Sequence, residues 1–264
     1  MGGSQSACRQ ATYLNAIQPI ASAFDGFLLL VYAGTPTALD PSTAEARLAE
    51  IGENTVDLLG WRTYHLRDDG QLPIIIVNSE FEAEQCYPNT QPDTEFLRWW
   101  EFAGTGHVGL TSPEDLEVMA QLMPPEMQWC QVSFAPASRA ALHALHHWLS
   151  GGAPPAHQPR LTRDGEPPEL PRDEHGNATG GIRLPDLEAP LGTHVGQSPR
   201  GGFVQLMGTS TPFAPEKVRA LDLDQAAWFG RYRVATERLV ETGVFLADDA
   251  EQVIARASTL ELPV

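Results

Sequence analysis

Two short runs constrain this chain more than any other feature: Phe27-Leu28-Leu29-Leu30-Val31-Tyr32-Ala33 and Leu72-Pro73-Ile74-Ile75-Ile76-Val77. Neither alternates apolar with polar residues. A strand with one wet face alternates, whereas an uninterrupted apolar run belongs to a strand covered on both faces, as in a parallel sheet sandwiched by helices. Gly34-Thr35-Pro36 closes the first run, and Asn78-Ser79-Glu80-Phe81-Glu82 follows the second. A third strand, Phe96-Leu97-Arg98-Trp99-Trp100-Glu101-Phe102, leads into the glycine-rich turn Ala103-Gly104-Thr105-Gly106-His107. Its paired tryptophans read as sheet-face packing. Residues 4–17 fit a helix, with Ala7, Ala11, Leu14 and Ile17 at helical spacing before Pro19 ends it. This order, with loops at the C-terminal strand ends, describes the second half of a doubly wound α/β sheet.

Farther on, residues 43–59 carry a weaker helical pattern. Residues 138–149 read as a helix ended by Gly151-Gly152. Residues 153–173, rich in proline and charge, read as a connector rather than a core element. Asp173-Glu174-His175-Gly176-Asn177 reads as a hairpin turn, since Gly and Asn adopt positive φ cheaply. Residues 215–257 read as a helical tail broken by Glu241-Thr242-Gly243. The expected division is a partial core over 1–152, followed by a connector and a mostly helical extension over 153–264.

A chain of 264 residues can bury a sizeable core as one large domain or two small ones. Its 34 acidic against 17 basic residues give a formal charge of −17. That field repels phosphate backbones and anionic lipid, so neither nucleic acid nor a membrane is an expected partner. No apolar run reaches the ~20 residues needed to span a bilayer, and no signal peptide is visible. Three cysteines, Cys8, Cys86 and Cys130, are too few for a disulfide framework and lack metal-site spacing, although a Cys86–Cys130 pairing stays open.

The chemistry-bearing residues cluster at the strand ends. Gly2-x-Ser4-x-Ser6 has the small-x-Ser-x-small form of a nucleophile elbow, the sharp strand-to-helix turn that lifts a serine hydroxyl above a sheet. Acyl transfer needs such a hydroxyl, an imidazole to take its proton and a carboxylate to orient the imidazole. Ser4, an acid after the second apolar strand and His107 after the third fall in the α/β-hydrolase order. Both Glu80 and Glu82 are candidates for the acid. With this stretch read as extended, one of the two is expected to face His107 and the other solvent. The backbone N–H of Gln5, the residue after Ser4, is the candidate oxyanion donor. No metal or organic cofactor is called for. His143 and His147 stand at the i, i+4 spacing of a zinc pair, but no glutamate sits between them in His-Glu-x-x-His fashion, and a solvated helix face is the better reading.

Several stretches together resemble a family of bacterial α/β-hydrolase domain proteins. They are Gly3-Ser4-Gln5-Ser6-Ala7, Tyr13-Leu14-Asn15-Ala16, Phe24-Asp25-Gly26-Phe27, Asn78-Ser79-Glu80, Gln91-Pro92-Asp93-Thr94, the run from Trp100 to His107, and the run from Asp173 to Leu191 through Gly181-Ile182-Arg183-Leu184-Pro185, which is the most specific of them. The resemblance implies Ser4 as nucleophile, His107 as general base and a small-molecule carboxylic ester as substrate. It maps the acid to a Ser-Glu-Thr-Asp stretch, here Ser79-Glu80-Phe81-Glu82, where general hydrolase spacing favours Glu82 and residue identity favours Glu80, with the narrow preference going to Glu80. It also implies a long region ahead of the elbow, carrying early strands and an oxyanion donor that this sequence does not contain. By this comparison the chain is the C-terminal portion of a hydrolase sheet, and 27–33 is a bare edge open to self-association or to a complementary N-terminal half. The alternative to an active hydrolase is thus an inactive fragment or one half of a split enzyme.

Overall fold

The computed structural model describes residues 1–37, 39–40, 64–122, 129–200, 202–221 and 224–262. The expected helix at 43–59 lies outside them. A four-stranded parallel sheet forms the centre, with strands in chain order: β1 (Gly2–Gly3), β2 (Phe27–Leu30), β3 (Ile74–Ser79) and β4 (Leu97–Phe102). The helix after the elbow is α1 (Gln5–Ala16), followed by the short α2 (Gln18–Ala21); α3 (Glu80–Gln85) leaves β3, and α4 (Pro113–Leu122) and α5 (Ala135–Leu149) follow β4.

The apolar runs do what their lack of alternation requires. Leu28 and Leu30 face the same way as Ile75, Val77, Trp100 and Phe102, and pack against Ala137, Ala141 and Leu145 of α5. Phe27 and Leu29 face the other way with Ile74, Ile76 and Trp99, under Ala7, Ala11 and Leu14 of α1. In-register pairing of Leu29 with Ile76, and of Ile76 with Trp99, keeps both faces continuous. Sheet and covering helices together make an α/β fold.

The strand entering the elbow was expected to be missing and β2 to form a bare edge. Instead Gly2 pairs with Leu29 and Gly3 with Leu30, so β2 lies between β1 and β3. Phe27 and Leu28 are buried as well. Past Leu30 the strand ends because Val31 turns to φ 44°, and the Asn78 side chain takes over the ladder. Its carbonyl accepts from the Tyr32 N–H at 2.7 Å and its amide donates to the Tyr32 carbonyl at 3.2 Å.

The second half of the chain is tied to the outer side of β4. Ile182 exchanges backbone hydrogen bonds with Glu101 and Ala103. Residues 153–173 are more than a connector. Leu161 and Leu170 join the core beside α5, and the Leu161 N–H donates to the buried Glu101 carboxylate at 2.9 Å. Arg163 adds two bonds to the same carboxylate, so the charge is paired where it is desolvated. The predicted turn forms: Arg172 and Ala178 bridge across Asp173-to-Asn177. Beyond it come α6 (Pro185–Glu188), an antiparallel pair β5 (Gly192–Val195) and β6 (Thr209–Pro212), then α7 (Pro215–Ala220), α8 (Gln225–Glu241) and α9 (Ala247–Ala257). Leu239 and Phe245 enter the same hydrophobic cluster as Leu28 and Trp100, so the helical tail shares the sheet's core.

All three cysteines are free and buried, which closes the Cys86–Cys130 possibility. Among the described residues no helix is long and apolar enough to cross a membrane.

Leu28 is fully enclosed between strands and α5. Leu28→Ala should therefore cost about 2–5 kcal/mol of folding free energy. Urea unfolding of the two proteins measures it, and a loss under about 1 kcal/mol would contradict a central position for β2.

Candidate active site

The three candidate groups come from the C-terminal ends of three strands. Ser4 joins β1 to α1 with φ 54° and ψ −123°, a conformation a non-glycine residue adopts only under constraint. Two contacts hold it there: its N–H donates to the Leu30 carbonyl at 2.9 Å, and its carbonyl accepts from the Cys8 N–H at 3.2 Å. The small flanking residues now have a geometric reason. A Cβ on Gly2 would lie 3.0 Å from the Ser6 carbonyl carbon and as close to the Gln10 side chain. The turn folds the helix back onto the strand at that point. Gln5, as the first residue of α1, has an N–H without an intrahelical acceptor, at the positive end of the helix.

His107 sits at the start of a 3₁₀ turn (His107–Leu110) after β4. Its Nε2 is 3.0 Å from Ser4 Oγ and its Nδ1 is 2.6 Å from Glu82 Oε1. Gly106 allows this close docking, since a Cβ there would come within 2.7 Å of the Met207 carbonyl oxygen. Phe81 presents its ring edge-on to the imidazole at 6.5 Å between centroids. These contacts bring Ser4, His107 and Glu82 into one hydrogen-bonded row.

Glu82, not Glu80, meets the imidazole. On an extended backbone residues two apart share a face; these two glutamates diverge because the chain turns helical at Glu80, where positions two apart are rotated by about 200°. Ser79 caps this helix in a capping box. The Ser79 N–H (3.2 Å) and hydroxyl (2.5 Å) both donate to Glu82 Oε2, which leaves Oε1 for His107. Ser79-x-x-Glu82 is the sequence signature of that box, and it would have picked out Glu82 in advance.

Glu80 faces the opposite way and is fully buried. Oε1 accepts from Arg172 at 2.7 Å and from the Gly196 N–H at 2.9 Å, while Oε2 accepts from the Gly104 N–H at 2.5 Å. It fixes the loop that carries His107 to two segments from the second half of the chain. Thr105, whose hydroxyl accepts from the Glu80 N–H at 3.3 Å, adds a further tie. Nothing in the sequence pointed to Arg172 or Gly196, which lie 92 and 116 positions from Glu80.

His143, His146 and His147 are exposed on α5 and touch none of these groups. Among the described residues, no cluster of three or more His, Cys, Asp or Glu side chains is arranged to hold a metal ion.

Burial pushes the His107 pKa down, but the charge of Glu82 and its hydrogen bond together outweigh burial, and the net shift is upward from 6.5. A raised folded-state value means that the His107–Glu82 pair contributes stability in full below pH 6.5 and loses it as pH rises through the raised value. NMR titration should place the His107 midpoint above 6.5, and Glu82→Gln should bring it down. A midpoint below 6.5 in the parent protein would contradict the pairing.

Neither a search of curated proteins nor one of solved structures returned a match. The sequence model of the family described as "Alpha/beta hydrolase domain" matches residues 1–255, nearly the whole chain. The chain belongs to the alpha/beta hydrolase domain family.

Proposed function

We propose that this protein is a serine hydrolase of carboxylic esters or related acyl bonds. The single observation that supports this best is the continuous row Ser4 Oγ, His107 Nε2, His107 Nδ1 and Glu82 Oε1, with separations of 3.0 and 2.6 Å at its two hydrogen bonds. The hydroxyl sits on a strained turn with its imidazole already in place, as nucleophilic acyl transfer requires.

In this reading Ser4 Oγ attacks the ester carbonyl carbon as His107 Nε2 takes its proton. Glu82 holds the Nδ1–H, fixing the tautomer and stabilising the imidazolium that forms. The oxyanion is stabilised by the Gln5 N–H and the positive end of α1. Collapse expels the alcohol, which takes the proton from His107, and leaves an acyl-serine. Water, deprotonated by the same imidazole, then releases the carboxylic acid and restores Ser4. Glu80 does not touch the reacting atoms; it is a positioning residue for the His107 loop.

A second reading is favoured by the sheet edge. β1 has only two residues, and among the described residues no strand pairs with its outer side. A complementary polypeptide adding strands there would make this chain one half of an assembled hydrolase.

A fluorophosphonate probe should label the protein, and labelling should vanish in Ser4→Ala. Hydrolysis of p-nitrophenyl acetate should fall by about 10³–10⁴ in kcat for Glu82→Gln. The Glu80→Gln variant should lose thermal stability along with activity. Labelling that survives Ser4→Ala would overturn the nucleophile assignment. Folded protein that never labels alone, yet labels once a complementary half is supplied, would select the second reading.

A further inference from the structure

A groove of about 700 Å³ is lined by α8 (Gln225–Glu241) together with residues 158–159 and 181–183 and Glu188. Ser4, Glu82 and His107 do not line it, so it is separate from the candidate active site. Its size falls in the range of small-molecule sites, roughly 300–1,000 Å³. Three observations give it a chemistry.

The first is a shared helical face. Ala227, Gly230, Val234 and Arg238 recur at three- and four-residue spacing and all line the groove. Val234 is 60% exposed, a large apolar side chain left in the open.

The second is Gly230. It sits inside a long helix, where glycine costs roughly 0.5–1 kcal/mol relative to alanine. Backbone strain does not require it, because Gly230 is not among the residues with positive φ. Close packing does not require it either, since an added Cβ would meet nothing within 4 Å. What its missing side chain does is keep the middle of the groove open.

The third is charge. Four arginines line this groove in a chain of net charge −17. The Arg183 side chain is committed to Glu188 at 2.7 Å and Asp173 at 2.9 Å, and Arg233 has Glu237 at 3.7 Å. The side chains of Arg231 and Arg238 have no hydrogen bond or ion pair among the described residues. Two guanidinium groups with no partner among the described residues thus stand beside apolar surface on an otherwise acidic molecule. Gln158 and Thr242 also line the groove, and the Gln158 amide donates to the Thr242 carbonyl at 3.1 Å.

We propose that this groove binds a medium-chain carboxylate. The head group pairs with Arg238, whose fork matches a carboxylate; Arg231, two turns earlier and about 10 Å along the axis, adds positive charge on the same groove. The chain lies over Val234 and Gly230 toward Ala227. From Arg238 to Ala227 the helix spans about 16 Å, room for an extended acyl chain. The proposal stands on the groove alone and does not require Ser4 to be a nucleophile.

Dodecanoate, used below its micelle concentration, tests this by calorimetry on Ser4→Ala protein, which removes any turnover. One dodecanoate per chain should bind. Arg238→Glu should weaken binding at least tenfold, and Gly230→Phe, which puts a ring into the groove from a position where an added Cβ meets nothing within 4 Å, should abolish it. Dodecyltrimethylammonium, with the opposite head-group charge, should not bind. Thermal melting checks that both variants fold, and Arg238→Glu serves alone if Gly230→Phe does not. Absence of dodecanoate binding, equal binding by the parent and Arg238→Glu, or equal binding of the cationic amphiphile would overturn the proposal.

Discussion

One carboxylate with two tasks organises this site. Glu82 Oε2 closes the capping box that starts α3, and Oε1 receives the imidazole of His107. The same side chain therefore sets where the helix begins and how the histidine is turned. The Ser79 bonds restrict its rotation, so the cap sets the direction in which Oε1 is offered to His107. Capping, burial and histidine orientation are one constraint here rather than three.

A second buried carboxylate, two positions earlier, binds the architecture together. Glu80 gathers Gly104, Arg172 and Gly196 onto one pair of oxygens. A charge this deeply enclosed is tolerable only because its oxygens are matched by a guanidinium and backbone donors. The second half of the chain thereby becomes part of the support for the loop carrying His107. The same logic recurs at Glu101, where Leu161 and Arg163 cover a buried charge on β4.

Much of this was legible in the sequence because it depends on local pattern. The unbroken apolar runs at Phe27 and Leu72 announced strands covered on both faces, and the small residues around Ser4 announced the elbow. His107 was marked by its glycine-rich setting after a strand. What escaped was decided by other forces. Treating Ser79-to-Glu82 as extended ignored its capping signature, and with it the rotation that turns Glu80 away from His107. The proline- and charge-rich stretch after residue 152 looked like a connector, yet single leucines at 161 and 170 reach the core. No periodicity marks isolated anchors of that kind. The contacts of Arg172 and Gly196 with Glu80 depend on tertiary folding across some hundred residues, which spacing along the chain does not encode.

The Ser4 N–H is pinned to the Leu30 carbonyl, only a few residues from Met1, whose side chain lies in the open. Residues 2–4 are thus woven into the sheet beside the Ser4 hydroxyl. Any peptide handle fused ahead of Met1 would be delivered to the sheet margin next to that hydroxyl. One fused after the final helix α9 would leave from the helical tail. Where an affinity handle is attached therefore decides how crowded the surroundings of the Ser4 hydroxyl become.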